Sequence, residues 1–191
     1  MTKGRLEAFS DGVIAILITI MVLEFRPPHS TDLAALTALV PVFLSYVLSF
    51  VFLGIYWNNH HHLLHATERV NGAVLWANLH LLFWLSLVPF ATAWMGENHF
   101  AALATALYGV VLLFAAISYT ILQTTIIRCN GPTSKLAVAV GGDRKAKVSL
   151  FLYLIAIPLA FVNQGISDVI YVTVALIWLV PDRRIERHLA Q

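Results

Sequence analysis

Arg5, Ser10 and Asp11 stand at the head of the apolar run Val13–Leu23, in which Thr19 is the one polar side chain. Charge and hydroxyl groups at membrane depth cost several kcal/mol unless they meet a partner, water or an ion. These residues therefore offer two chemistries, a buried polar fastening and a contact with something hydrated that passes by. Arg5 and Phe9 are four apart and share a helix face, while Ser10 and Asp11 fall on adjacent faces of the same turn. Asp11 in a first turn is also favoured by the helix dipole, so a plain capping role is open to it. Further on, Ile16, Ile20 and Leu23 follow i, i+4, i+7 and form a stripe bordered by Thr19. Every face of such a helix is apolar, so the stripe alone does not say whether it packs or lines a path.

A second cluster, His60-His61-His62 with His65 and Glu68, spaces His61, His65 and Glu68 on one helical face. That spacing admits a metal or a protonation-sensitive surface. The blander reading is a polar aromatic end to a membrane helix, and it is preferred; no metal site is expected. Proton movement through Asp11 and the histidines stays open as an alternative function.

The elements that must position these residues are membrane helices. Hydrophobic residues make up 59% of the 191 positions and charged residues 12%, a surface water could not solvate. Six segments approach the ~20 residues a crossing needs: Phe9–Phe25, Leu33–Trp57, Ala73–Met95, Phe100–Ile127, Val148–Val162 and Ile166–Val180. Pro27-Pro28 and Gly131-Pro132 close the helices before them, Ser30-Thr31-Asp32 offers a cap for the second span, and Asp168 one for the sixth. The 128–147 segment, with Gly131, Gly141 and Gly142, reads as a flexible connector.

Of the 12 Lys and Arg residues, all but Arg26 fall on one side when both termini are placed inside. The expected fold is therefore an all-α membrane protein of six transmembrane helices with cytoplasmic N- and C-termini, a single domain over residues 1–191. The net charge of +2 gives no reason to expect a nucleic-acid partner, and Cys129 alone can form no intrachain disulfide. No Ser-His-Asp order, phosphate loop or paired-carboxylate motif is present, so an enzyme is not expected.

The heptapeptide Arg5-x-x-x-Phe9-Ser10-Asp11 resembles the signature of the transmembrane protein 175 family, lysosomal potassium channels and their prokaryotic homologues. Gly54-Ile-Tyr-Trp57-Asn-Asn-His60, Asn78, Pro89-Phe90 and Trp178-Leu-Val-Pro181-Asp-Arg-Arg184 are similar to family members too, so the resemblance runs along nearly the whole chain. It implies a potassium-permeable cation channel in the plasma (inner) membrane, a homotetramer with the first helix lining the pore and no re-entrant selectivity loop. On that resemblance Ile16, Ile20 and Leu23 form the hydrophobic constriction and Thr19 contributes a modest selectivity for potassium over sodium. Arg5, Phe9, Ser10 and Asp11 join Trp57, His60 and Asn78 in a polar network that fastens the first helix. No cofactor is implied beyond the permeant ions; the partners are lipid, monovalent cations and further copies of the chain.

Overall fold

A computed structural model describes residues 2–140 and 144–179, and every regular element among them is helical. Helix α1 (Lys3–Ile20) tightens into a 3-10 turn at Met21–Glu24, and short α2 (Leu33–Thr37) precedes α3 (Val40–His65). Next come α4 (Gly72–Ser86), α5 (Val88–Glu97), α6 (Ala102–Asn130), α7 (Lys135–Val140), α8 (Arg144–Leu159) and α9 (Gln164–Leu179). Among the described residues, four stretches are long and apolar enough to cross a membrane: Lys3–Glu24, Val40–His65, Gly72–Glu97 and Ala102–Asn130. Helices α8 and α9 have 16 residues each, about 24 Å of axis at 1.5 Å per residue.

Several boundaries differ from those expected, each for a physical reason. The second span is not continuous from Leu33: α2 stops, and α3 starts at Val40 with Pro41 in its first turn, where a missing N–H costs nothing. Ser30 and Asp32 do not cap α3; Ser30 Oγ bonds Asp32 Oδ2 at 2.7 Å, and Asp32 makes no side-chain cap bond to α2. The third span is broken at Leu87 because Pro89 cannot donate to the turn before it. The 128–147 segment is not simply a loose connector, for α7 forms within it and buries Leu136. Asp168 does not cap α9. That helix begins at Gln164, where Asn163 Oδ1 accepts the Gly165 N–H at 3.0 Å, and Asp168 lies a turn inside. The predicted end at Val180 and the Pro181–Arg184 part of the tail motif lie outside the described residues. Gly131 does end α6, in the left-handed region at φ 98°.

Helices α3 and α6 form the middle of the bundle. Helix α1 packs on α3, α4 and α5, while α8 and α9 pack on each other and on α6 from elsewhere on the bundle, with α9 also meeting α3. Hydrogen bonds fix the directions. Near the start of α9, Ser167 Oγ bonds the Ala156 carbonyl near the end of α8 at 2.7 Å. Near its end, Trp178 Nε1 bonds Ser149 Oγ near the start of α8 at 2.8 Å, so the two are antiparallel. Small residues bring helices close. A side chain at Gly96 would meet Ser45 and lie 2.8 Å from Val42 Cα, and one at Gly109 would meet the ring of Tyr171.

Candidate functional site

Leu6, Ser10, Ile14 and Leu17 of α1, with Met21 of the following turn, recur every three or four residues and are buried. They make the face that holds α1 to the bundle. At its polar point, Asn78 Nδ2 on α4 donates to Ser10 Oγ at 2.9 Å, and Asn78 Oδ1 lies 2.7 Å from His60 Nε2 on α3. The amide oxygen can only accept, so that ring nitrogen carries the proton. All three residues are buried, and one side-chain amide thereby ties three helices together.

A second contact joins α1 to α3 beside it: Trp57 Nε1 donates to Asp11 Oδ1 at 3.1 Å. The Trp57 ring stacks on His61 and His61 on His65, with centroids 6.1 and 6.2 Å apart. At the end of this row Lys3 Nζ bonds the His65 carbonyl at 2.9 Å, where a cation also suits the helix C-terminus, and it lies 3.8 Å from Glu7. The structure thus brings together Ser10, Asn78 and His60, and separately Asp11 and Trp57.

Arg5 and Phe9 do not belong to that network. Arg5 is exposed, with no hydrogen bond or ion pair among the described residues, and Phe9 is 46% exposed. The shared face expected for them exists, but it turns away from Leu6 and Ser10. Lys3, which no motif singled out, holds the head of α1 instead. Asn130 was also missed: its Oδ1 accepts the Glu68 and Arg69 N–H groups at 3.1 and 2.8 Å, fixing the turn between α3 and α4. So was a buried hydroxyl cluster in which Ser49 Oγ lies 2.9 Å from Tyr108 OH and 2.6 Å from Thr92 Oγ1. Isolated Ser, Thr and Tyr residues on apolar helices give no sequence signal that they meet.

The other face of α1 and of the 3-10 turn that follows it carries Arg5, Phe9, Gly12, Ile16, Thr19, Ile20 and Leu23, all exposed among the described residues. Ile16 is 61% exposed, Ile20 44% and Leu23 74%. Thr19 Oγ1 shares its proton between the Ala15 and Ile16 carbonyls, at 3.0 and 3.1 Å. That bond consumes the donor and leaves oxygen lone pairs for whatever lies outside. Helix α1 is therefore pinned along one side and bare along the opposite one. Among the described residues no group of three His, Cys, Asp or Glu side chains could hold a metal ion.

Comparison with known proteins identifies the family. The family described as endosomal/lysosomal potassium channel TMEM175 matches residues 5–89, which contain both the anchored and the bare face of α1. A protein of Chryseobacterium sp. (strain P1-3) named as a potassium channel is 54% identical over 191 residues, the full length of both chains. The TMEM175 protein of Mus musculus, named an endosomal/lysosomal proton channel, is 30% identical over 84% of this chain and 36% of its own length. The crystal structure of a lysosomal potassium-selective channel TMEM175 homolog from Chamaesiphon minutus superposes with a TM-score of 0.83 at 28% identity, covering 94% of this chain and 97% of that one. These family and structural neighbours are ion channels, not enzymes, and this chain belongs to the TMEM175 family.

Proposed function

We propose that the chain is a potassium-permeable cation channel, a homotetramer of six-span subunits in the plasma membrane with both termini cytoplasmic and α1 at the axis. The observation that carries this reading is the division of α1 into an anchored face and a bare face of bulky aliphatic side chains with a hydroxyl among them. An apolar face on the first span, exposed among the described residues, suits copies that surround a common path. Four-fold rings of Ile16, Ile20 and Leu23 would close that path by excluding water, since an ion entering a narrow apolar ring loses hydration and gains nothing. A ring of Thr19 oxygens, with their protons already donated inward, would replace part of the ion's shell. One hydroxyl layer without stacked carbonyls gives modest selectivity.

Six spans follow if the antiparallel α8 and α9 both cross, the bilayer or flanking residues accommodating their short length. The starts of α1, α4 and α8 then share one end of the bundle with the ends of α3, α6 and α9. Lys3, Arg5, Arg69, Arg128, Lys135, Arg144, Lys145 and Lys147 gather at that end, the pattern of a cytoplasmic side.

The test is planar-bilayer recording of the reconstituted protein. Thr19→Ala is expected to lower the potassium over sodium permeability ratio by about three- to tenfold, a loss of order 1 kcal/mol, and Ile16→Asn to raise conductance or leak. Unchanged currents in both variants would remove α1 from the ion path.

A proton pathway, alone or as part of a proton-coupled transporter, is the second reading. The animal relatives' name favours it, as does the position of Asp11 beside Trp57 and the exposed rings of His61 and His65. Asp11→Asn separates the readings, because an amide oxygen still accepts the Trp57 bond while the carboxyl group is gone. The channel reading predicts normal assembly and potassium current; proton current lost with assembly intact would favour the second.

A further inference from the structure

Helix α4 turns an apolar face to the outside of the subunit, with Leu79 43% and Phe83 55% exposed, and an exposed histidine, His80, stands in it. Trp84 Nε1 donates to His80 Nε2 at 3.1 Å. An indole N–H only donates, so that ring nitrogen carries no proton and the neutral imidazole keeps its own on Nδ1. Nδ1–H meets no acceptor among the described residues. The position is deep. Gly72–Glu97 has 26 residues, about 39 Å of axis for a hydrocarbon layer of about 30 Å. His80 lies eight residues past Gly72, about 12 Å along that axis, too far from either end for the ring to reach water. A donor turned toward lipid there is stranded, and ionisable side chains at such depth face a partner instead.

A matching group stands at the same height. Helices α3 and α4 are joined by a short turn and run antiparallel, and the bond between His60 and Asn78 at 2.7 Å sets those two residues level. His80 is two residues on from Asn78 and Asn58 two residues back from His60, so they are level as well. Asn58 is half-buried, and its side-chain amide has no hydrogen bond among the described residues. Two residues turn a helix by about 200°, so both groups point away from the His60–Asn78 contact and cannot meet within one subunit. Farther along the same faces, Phe83 is nearly level with Gly54, where a side chain would meet nothing within 4 Å in the subunit. Donor and acceptor, bulk and gap, thus stand at equal heights on two separate faces.

Rotation about an axis along the membrane normal carries a residue around but leaves it at its height. We propose that a second copy of the chain docks here, α4 of one subunit packing against α3 of the next. His80 Nδ1–H then donates to Asn58 Oδ1 of the partner subunit, and Phe83 fills the gap at Gly54 of the partner subunit. Unlike faces meet, so the contact is heterologous and repeats around a ring. Docking of this kind rests on the homotetramer reading above and adds to it which faces join.

In a Cys129→Ser background, Asn58→Cys and His80→Cys are combined in the full chain, which is reconstituted in vesicles and treated with a short bifunctional thiol reagent. Denaturing gels of the double variant should show covalent dimer, trimer and tetramer, and each single variant only the single chain. A dimer from either single variant means that like faces meet and overturns the proposal. So does an uncrosslinked double variant whose mass in detergent is that of a tetramer, a result that leaves the channel reading standing; a smaller mass overturns both. Leucine variants give a second readout that needs no cysteine. His80→Leu and Asn58→Leu should each favour subunit dissociation in detergent about threefold per contact, the worth of a typical membrane hydrogen bond. The two together should do no more than either alone. Additive effects, or a tetramer stabilised by His80→Leu as exposure to lipid would have it, overturn the proposal.

Discussion

Asn78 is the residue on which the position of α1 turns. Its amide satisfies Ser10 on one side and His60 on the other, all inside the bundle. Membrane hydrogen bonds average only ~0.6 kcal/mol, because the unfolded reference also finds partners. A substitution that strands two buried groups at once should cost more, about 1–3 kcal/mol. Asn78→Ala is accordingly expected to lower the unfolding midpoint in detergent, while Arg5→Gln should leave it near wild type. Equal losses for the two would mean that the amide bridge is not what holds the helix. The contrast shows how far residue identities carried. Ser10, His60 and Asn78 were legible through the resemblance. The resemblance put Arg5 in the same network, whereas its side chain is exposed among the described residues; its spacing from Phe9 says that the two share a face but not which way that face turns. Thr19 kept its prominence, now with the added detail that its proton is spent on the Ala15 and Ile16 carbonyls.

At the scale of elements, proline punctuation located the break between α4 and α5 only after the fact, since Pro89 is equally compatible with a kink or a helix start. The turn between α5 and α6 was hidden for another reason. It passes through left-handed backbone at His99 and Phe100, φ 50° and 59°, with no glycine to advertise it. Close helix approaches were likewise invisible, because a glycine in a sequence does not reveal what faces it. Gly96 makes the point testable. Its added methyl would press on the α3 backbone at Val42, which cannot yield as a side-chain tip would. Gly96→Ala should therefore destabilise by about 1–3 kcal/mol. Gly54→Ala, whose methyl meets nothing within 4 Å in the subunit, serves as the control and should leave subunit unfolding unchanged or slightly later. Chemical denaturation of the two variants side by side reads the difference.

For the whole molecule, composition and charge asymmetry made the membrane class plain, and the apolar runs gave the approximate place of every long helix. What they could not give was the partition of α1 into two faces, which exists only once α3, α4 and α5 are packed against one of them. That partition is the centre of the functional account, and it sets Ile14 and Ile16, two residues apart with the same side chain, in opposite surroundings: Ile14 is 0% exposed and Ile16 61%. The most direct measurement places a cysteine at each position in a Cys129→Ser background and applies a charged, thiol-specific reagent while current is recorded across a planar bilayer. The account predicts that Ile16→Cys channels are blocked progressively and that Ile14→Cys channels are untouched. Equal protection of both positions, or modification at Ile16 that leaves the current unaltered, would contradict it.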